Sequence, residues 1–153
     1  MHGLASNRYN PPLLICYLMN FLINCIILFS LSLFQLVGPE PTDLGVHNAE
    51  LSPCASPAHC ARANWSVAQP SDVLNKLVPL LEKMPRTELV EQENGYIHAT
   101  VSSALFGFVD DLELYADPIR GFLQARSVSR LGDSDLGVNA KRLTEIHALI
   151  PSI

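Results

Sequence analysis

Thr87-Glu88-Leu89-Val90-Glu91-Gln92-Glu93-Asn94-Gly95-Tyr96-Ile97-His98-Ala99-Thr100-Val101 is the stretch around which the rest of the chain is organised. Asn94-Gly95 suits a two-residue type I′ turn, whose central positions both need positive φ. On the second arm Ile97, Ala99 and Val101 alternate with Tyr96, His98 and Thr100, the period of a half-buried strand. Working outward, a third strand is expected near 107–115, ending before Asp117-Pro118, and a fourth over about 122–130. Upstream, Val73, Leu74, Leu77, Val78, Leu81 and Met84 share one helical face, with Ser71 and Asp72 as capping or first-turn residues. Pro79 should kink that helix by removing the bond to the Asn75 carbonyl, and Pro85 ends it. Downstream, a helix starting near Val138 or Asn139 carries Leu143, Ile146 and Ile150 and stops at Pro151. The predicted fold class is α+β: a four-stranded antiparallel sheet flanked by an N-terminal and a C-terminal helix.

The N-terminal part differs in kind. Of 153 residues with a net charge of −5, all fifteen acidic and nine of the ten Lys and Arg side chains follow Gly38; only Arg8 precedes it. Residues 13–37 form an apolar run broken by Asn20, Asn24, Gln35 and small hydroxyl side chains. As a helix the run reaches ~37 Å, enough to cross a hydrocarbon core of ~30 Å. Pro11-Pro12 and Gly38-Pro39 with Pro41 bracket it, and Tyr9 and Tyr17 suit an interface. Arg8 before the run, and no Lys or Arg after it until Arg62, orients the N-terminus to the cytoplasm and the domain outside. The expected organisation is a short cytoplasmic N-terminus (1–12), one transmembrane helix or signal segment (13–37), a linker (38–64) and the α+β domain (65–153).

A cleaved signal peptide is the alternative, giving a secreted domain. Its apolar region would be only ~7–15 residues, and the small pair Ser30 and Ser32 lies inside this longer run. A start at Met19 would shorten the run toward that size. Cys16, Asn20 and Asn24 fall on one stripe that suits a second membrane helix as partner, and equally reads as tolerated polar residues in a marginal span. An acidic domain lacks the Lys/Arg footprint that nucleic acid demands.

The linker contains Pro53-Cys54-Ala55-Ser56-Pro57-Ala58-His59-Cys60. Outside the cytoplasm Cys54 and Cys60 are expected to oxidise to a disulfide. A metal site drawing on Cys54, Cys60, His59 and His47 is the weaker reading, since the spacing is not that of a zinc knuckle, and five intervening residues are too many for a thioredoxin-type pair. No metal or cofactor is expected.

Two further blocks carry a resemblance: Gly107-Phe108-Val109-Asp110-Asp111-Leu112-Glu113, and the run from Ala125-Arg126-Ser127-Val128-Ser129-Arg130-Leu131-Gly132 through Asp133-Ser134-Asp135-Leu136-Gly137-Val138-Asn139. With Pro85-Arg86-Thr87 and the Cys54/Cys60 pair, they resemble the family called domain of unknown function 1499 over about 43–149. Its usual Asn before the second cysteine is His59 here, its Val-Ser-Ser after it is Ala61-Arg62-Ala63, and an aromatic common after Arg-x-Gly is Asp133. The resemblance implies a fold and a frequent association with membrane or export segments, and no particular chemistry.

Asp110, Asp111 and Glu113 place three carboxylates in four strand positions, with Asp110 sharing a side with Phe108, Leu112 and Leu114. A partly buried acid there needs a donor or cation, which Arg126 and Arg130 are placed to supply. Structural pairing is the leading reading. The alternative is acid/base work by Asp110 or Asp111 with Arg126 or Arg130, as in a small hydrolase or isomerase. Ser127 and Ser129 lie on the strand face opposite the arginines, with no nucleophile elbow around them. With Asp135 and Asn139 they are the candidate binding residues. The run 132–137 reads as a structured turn into the last helix and falls short of a calcium loop. His98 and His147 have no second ligand at metal spacing. Lys141 and Arg142 with Glu145 read as helix-surface pairs. The functional expectation is a non-enzymatic, membrane-tethered interaction or ligand-binding module facing periplasm or lumen, with the hydrolase or isomerase and a purely structural domain as alternatives.

Overall fold

The computed structural model describes residues 11–104 and 106–150. The chain divides into one unit ending at Gln35 and a second beginning at Leu36. In the first, α1 (Pro11–Val37) is a 27-residue helix. Its described side chains, 15–29, are exposed and largely apolar, and Cys16 and Cys25 among them are free thiols. Among the described residues no helix is long and apolar enough to cross a membrane. Arg8 and Tyr9, which carry the orientation and interface readings, lie outside the described residues, as does Pro151.

In the second unit the elements follow as β1 (Val46–His47), β2 (Glu50–Leu51), β3 (Cys60–Ser66), α2 (Pro70–Leu81), β4 (Thr87–Glu93), β5 (Tyr96–Ser102), β6 (Val109–Asp117), β7 (Phe122–Ser129) and α3 (Val138–Leu149). The main sheet is antiparallel and has five strands, in the order β3-β7-β6-β5-β4, with a separate two-stranded β1-β2 piece. The expected count of four is therefore corrected to five. The extra strand, β3, pairs along its whole length with β7, from Cys60↔Val128 to Ser66↔Phe122. Its alanines and Asn64 have weak strand preference, so tertiary pairing and not local propensity makes it a strand. Nor is 38–64 a plain linker, since it holds β1, β2 and most of β3.

The hairpin at the centre forms as its residues dictate. Asn94 and Gly95 take φ of 49° and 75°, and Glu93 faces Tyr96 across the turn. Pro70 opens α2 without a side-chain cap from Gln69, and the helix passes through Pro79 to end at Leu81. Tight turns from Lys83 to the Leu80 carbonyl and from Met84 to the Leu81 carbonyl follow it. Both helices cover one face of the sheet. Leu74, Leu77, Leu81, Leu143 and Ile146 pack there on Ile97, Ala99, Leu112, Leu114, Leu123 and Ala125, all buried. The opposite face presents Tyr96, His98, Asp111, Glu113, Gln124 and Arg126, also buried. Segment 38–60 covers that face and binds it through polar groups: Gly45 N–H donates to Glu113 and Leu51 N–H to Gln124. Cys54 and Cys60 form a disulfide, with Cα atoms 5.5 Å apart.

Candidate functional site

Consecutive strand residues point to opposite faces, so Asp110 and Asp111 of β6 cannot share a site. On the face covered by 38–60, Asp111 is fully buried. Arg130 grips it with two bonds, Nε to Oδ2 at 2.9 Å and Nη2 to Oδ1 at 2.7 Å, and His98 Nε2 lies 2.8 Å from Oδ1. Burial by itself pushes this carboxyl up. The His98 hydrogen bond and the Arg130 fork outweigh burial, so the group is held below the ordinary carboxylate range. Two residues along, Glu113 accepts from Arg126 Nη1 at 2.7 Å, from the Tyr96 hydroxyl at 2.8 Å and from Gly45 N–H at 2.7 Å. Arg126 Nη2 reaches on to Asp43 at 2.8 Å. Burial first, then the neighbouring Glu113 charge and its hydrogen bond, push the Tyr96 phenol far above its ordinary value.

On the helix face Asp110 meets neither Arg126 nor Arg130, contrary to the pairing expected for it. Its Oδ2 accepts from Arg142 Nη2 of α3 at 2.7 Å. The register explains this: Asp110 faces Ser129, and Asp111 faces Val128, the residue between the two arginine positions on that side. Arg142 also donates through Nη1 to Ser127 Oγ at 2.7 Å and to Asn139 Oδ1 at 2.6 Å. Ser127 Oγ donates to Asn139 Oδ1, and Asn139 Nδ2 donates to Ser129 Oγ and to the His59 carbonyl. Asp135 fixes the turn into α3, accepting from Gly137 N–H and Asn139 N–H at 2.8 Å each. Ser127, Ser129, Asp135 and Asn139 thus belong to one network, with Arg142 at its centre.

Arg142 is the residue that sequence reasoning misplaced. It is buried and not a surface partner of Lys141 and Glu145; those two do pair on the surface, at 3.8 Å. The signal lay in the spacing: Arg142 stands three residues after Asn139 and four before Ile146, on the stripe α3 buries. His147 stacks on Trp65 with ring centroids 5.2 Å apart. Among the described residues no group of three His, Cys, Asp or Glu side chains is arranged to hold a metal ion.

Two open cavities adjoin these networks. A groove of about 450 Å³ runs beside Asp110, Ser129 and Asp135, walled by Phe106, Phe108, Leu131, Leu136 and Val138. The Phe106 and Phe108 rings lie 5.6 Å apart, and both remain exposed at the surface. A wider cleft of about 670 Å³ lies between residues 40–46 and the β4–β5 hairpin, lined by Tyr96, His98, Tyr115, Glu91 and Glu93 among others. The groove is the better candidate, because both sequence blocks singled out above converge on it and because its wall is apolar with a few fixed polar groups at one side. Chemically its wall offers apolar contact, with the polar groups of Asp110, Ser129 and Asp135 at one side. Ser127 is wholly buried and committed to Asn139 and Arg142, so it is no nucleophile.

No curated protein matches the chain. A family described as Protein of unknown function (DUF1499) matches residues 41–150, from just before β1 to the end of α3. That match takes in every residue of both networks, and the chain belongs to the DUF1499 family.

Proposed function

We propose that the chain is a non-enzymatic, membrane-tethered module whose domain binds a ligand or partner on the far side of the membrane from the cytoplasm. One observation carries the binding part. The charged groups of the candidate set are bound to one another, Asp110 by Arg142, Asp111 by Arg130 and Glu113 by Arg126, and the groove beside Asp110 has an exposed wall that is apolar. Groups so paired shape a receptor; acid/base work needs one of them free to exchange a proton with a bound substrate. For Asp110 the hydrolase or isomerase reading is further weakened because it meets neither Arg126 nor Arg130. For the tether, support comes from the apolar run 13–37, which follows Arg8 and precedes a segment without Lys or Arg up to Arg62. The Cys54–Cys60 disulfide fits an oxidising compartment.

The test is a pair of reporters fused after Ile153, one active only when exported and one only in the cytosol, combined with alkaline extraction of membranes. Export activity with the chain retained in the extracted membrane is the expected outcome. A cytosolic reporter signal, with Cys54 and Cys60 alkylated as free thiols, overturns the tether. For binding, mass spectrometry of the full chain purified in mild detergent should show a retained small molecule or partner. A chain that emerges bare from several membrane preparations overturns that part.

A further inference from the structure

We infer that the groove walled by Phe106, Phe108, Leu131, Leu136 and Val138 takes an acyl chain of a bilayer lipid whose headgroup carries no net negative charge; this rests on the membrane-tethered reading. Three observations lead there.

The first is apolar exposure on two separate loops that meet at one place. Phe106 is 59 % exposed, Val138 48 % and Leu136 94 %, and all three line the same groove. Apolar side chains gathered at a cavity rim, and not scattered singly, mark a surface that meets something apolar. Leu136 also sits at φ 54°, a left-handed conformation that disfavours side chains other than those of Gly and Asn. A protruding leucine is held there where a smaller, polar residue would fit the backbone better.

The second observation is position. Gly38 follows the apolar run directly, and its backbone lies against the groove's Leu131: a Cβ added to Gly38 would come within 2.7 Å of Leu131 Cγ and 2.9 Å of Arg130 Cβ. The first residues of the domain after the apolar run therefore lie at the groove wall. The opposite end of β6 offers a comparison, since Ile119 in the β6–β7 turn is equally exposed at 94 % and lies ~24 Å of strand away from Asp110.

The third is charge. Among the described residues, the ionisable side chains lining the groove are Asp110 and Asp135, with no Lys or Arg. Arg142, bonded to the lining residue Asp110, and Arg130, between the lining residues Ser129 and Leu131 in sequence, are held by Asp110 and Asp111. Such a lining offers an anionic headgroup no free cation and leaves the apolar wall as the source of attraction, which suits a zwitterionic or uncharged lipid. The volume of about 450 Å³ lies within the ~300–1,000 Å³ of small-molecule sites.

The experiment uses the full chain in phosphatidylcholine vesicles. Trp65 is the sole tryptophan, so Trp65→Phe with Phe106→Trp places one reporter at the groove, and Trp65→Phe with Ile119→Trp places one at the far end. Each variant is first checked for an intact disulfide and an unchanged melting temperature. Phosphatidylcholine brominated on its acyl chains should remove at least half of the emission at position 106 and leave that at 119 nearly unchanged. Adding Leu136→Asp and Val138→Asp to the 106 reporter should restore most of the emission while the protein still floats with the vesicles. Replacing a third of the lipid by phosphatidylglycerol should not increase quenching. Co-flotation without quenching at 106, equal quenching at 106 and 119, or a rise with anionic lipid each overturns the groove proposal and leaves the tether standing. Failure to float overturns the tether, and the proposal with it.

Discussion

Arg142 Nη2 lies 2.7 Å from Asp110 Oδ2, joining the middle of α3 to the start of the central strand β6 across 32 residues of chain. Both side chains are nearly excluded from water, and Nη1 of the guanidinium is used by Ser127 and Asn139. A buried pair of this kind costs most when only one member is removed, because the other is left charged without a partner. Arg142→Leu should therefore destabilise the domain by roughly 3–5 kcal/mol, measured by urea unfolding. Asp110→Asn, which keeps a hydrogen-bond acceptor for Arg142, should cost clearly less. A loss from Arg142→Leu within about 0.5 kcal/mol, the range of ordinary surface substitutions, would show that the pair does not stabilise the domain.

Asp111 makes stability depend on pH in a definite direction. Its carboxyl is held below the ordinary range in the folded state, against burial, by His98 and Arg130. The unfolded chain binds that proton near the free value of ~3.9. The stabilisation is thus fully present above that value and is lost as pH falls through the lower folded pKa. Asp117 and Asp135 are shifted the same way: burial opposes the shift, and the backbone N–H groups of Arg120 and of Asn139, respectively, are the largest of the causes that outweigh it. Urea midpoints measured from pH 7 down to pH 2 should fall steeply at the acid end for the natural chain. In Asp111→Asn the midpoint should be lower at pH 7 and the acid slope shallower. An unchanged slope would exclude Asp111 as a contributor.

The parts of this architecture that could be read along the chain are those set by neighbours in sequence. Asn94-Gly95 specifies its own turn, the leucines of α2 mark their own stripe, and alternation correctly placed Asp110 with Leu112 and Leu114. What eluded reading depended on pairings between distant segments. A slip of one residue in the register of β6 on β7 would exchange Asp110 and Asp111 between faces, and nothing local sets that register. Strand β3 is built from Ala61, Arg62, Ala63 and Asn64, which form a strand only because β7 offers them an edge. Arg142 looked like a surface residue because arginine in a helix usually is one, and only Asp110 arriving from β6 gives it a reason to be buried.

The Cys54–Cys60 disulfide links the covering segment to the candidate groove. Within its small ring the Ala58 carbonyl accepts from Asp135 N–H at 2.9 Å, and the His59 carbonyl accepts from Ser129 N–H at 2.9 Å and from Asn139 Nδ2 at 3.0 Å. Reduction, or Cys54→Ser with Cys60→Ser, should cost about 2 kcal/mol by the chain-entropy argument. The effect should also be local: amide exchange at Ser129 and Asp135 should speed up before that of the buried strand residues Leu112 and Leu114. Uniform acceleration throughout the sheet would mean that the ring stabilises the fold as a whole and has no special hold on the turn before α3.

Leu136 sets stability against binding. At φ 54° its Cβ is crowded by its own backbone, at a cost of roughly 1–2 kcal/mol relative to glycine. Glycine would relieve that strain but add freedom to the unfolded chain worth about 0.4–1 kcal/mol. Being 94 % exposed, the side chain loses almost no packing when removed. Leu136→Gly should therefore be neutral to stabilising by up to about 1 kcal/mol in urea unfolding. If the leucine is retained for its contact with lipid, the same variant should lose a large part of the quenching by brominated phosphatidylcholine at position 106. Stability held or gained while quenching is lost is the signature of a residue kept for function at the expense of the backbone. Should Leu136→Gly instead unfold more easily and quench as before, its exposed side chain would have a structural role that the packing around it does not reveal, and the lipid-binding role assigned to it would fall.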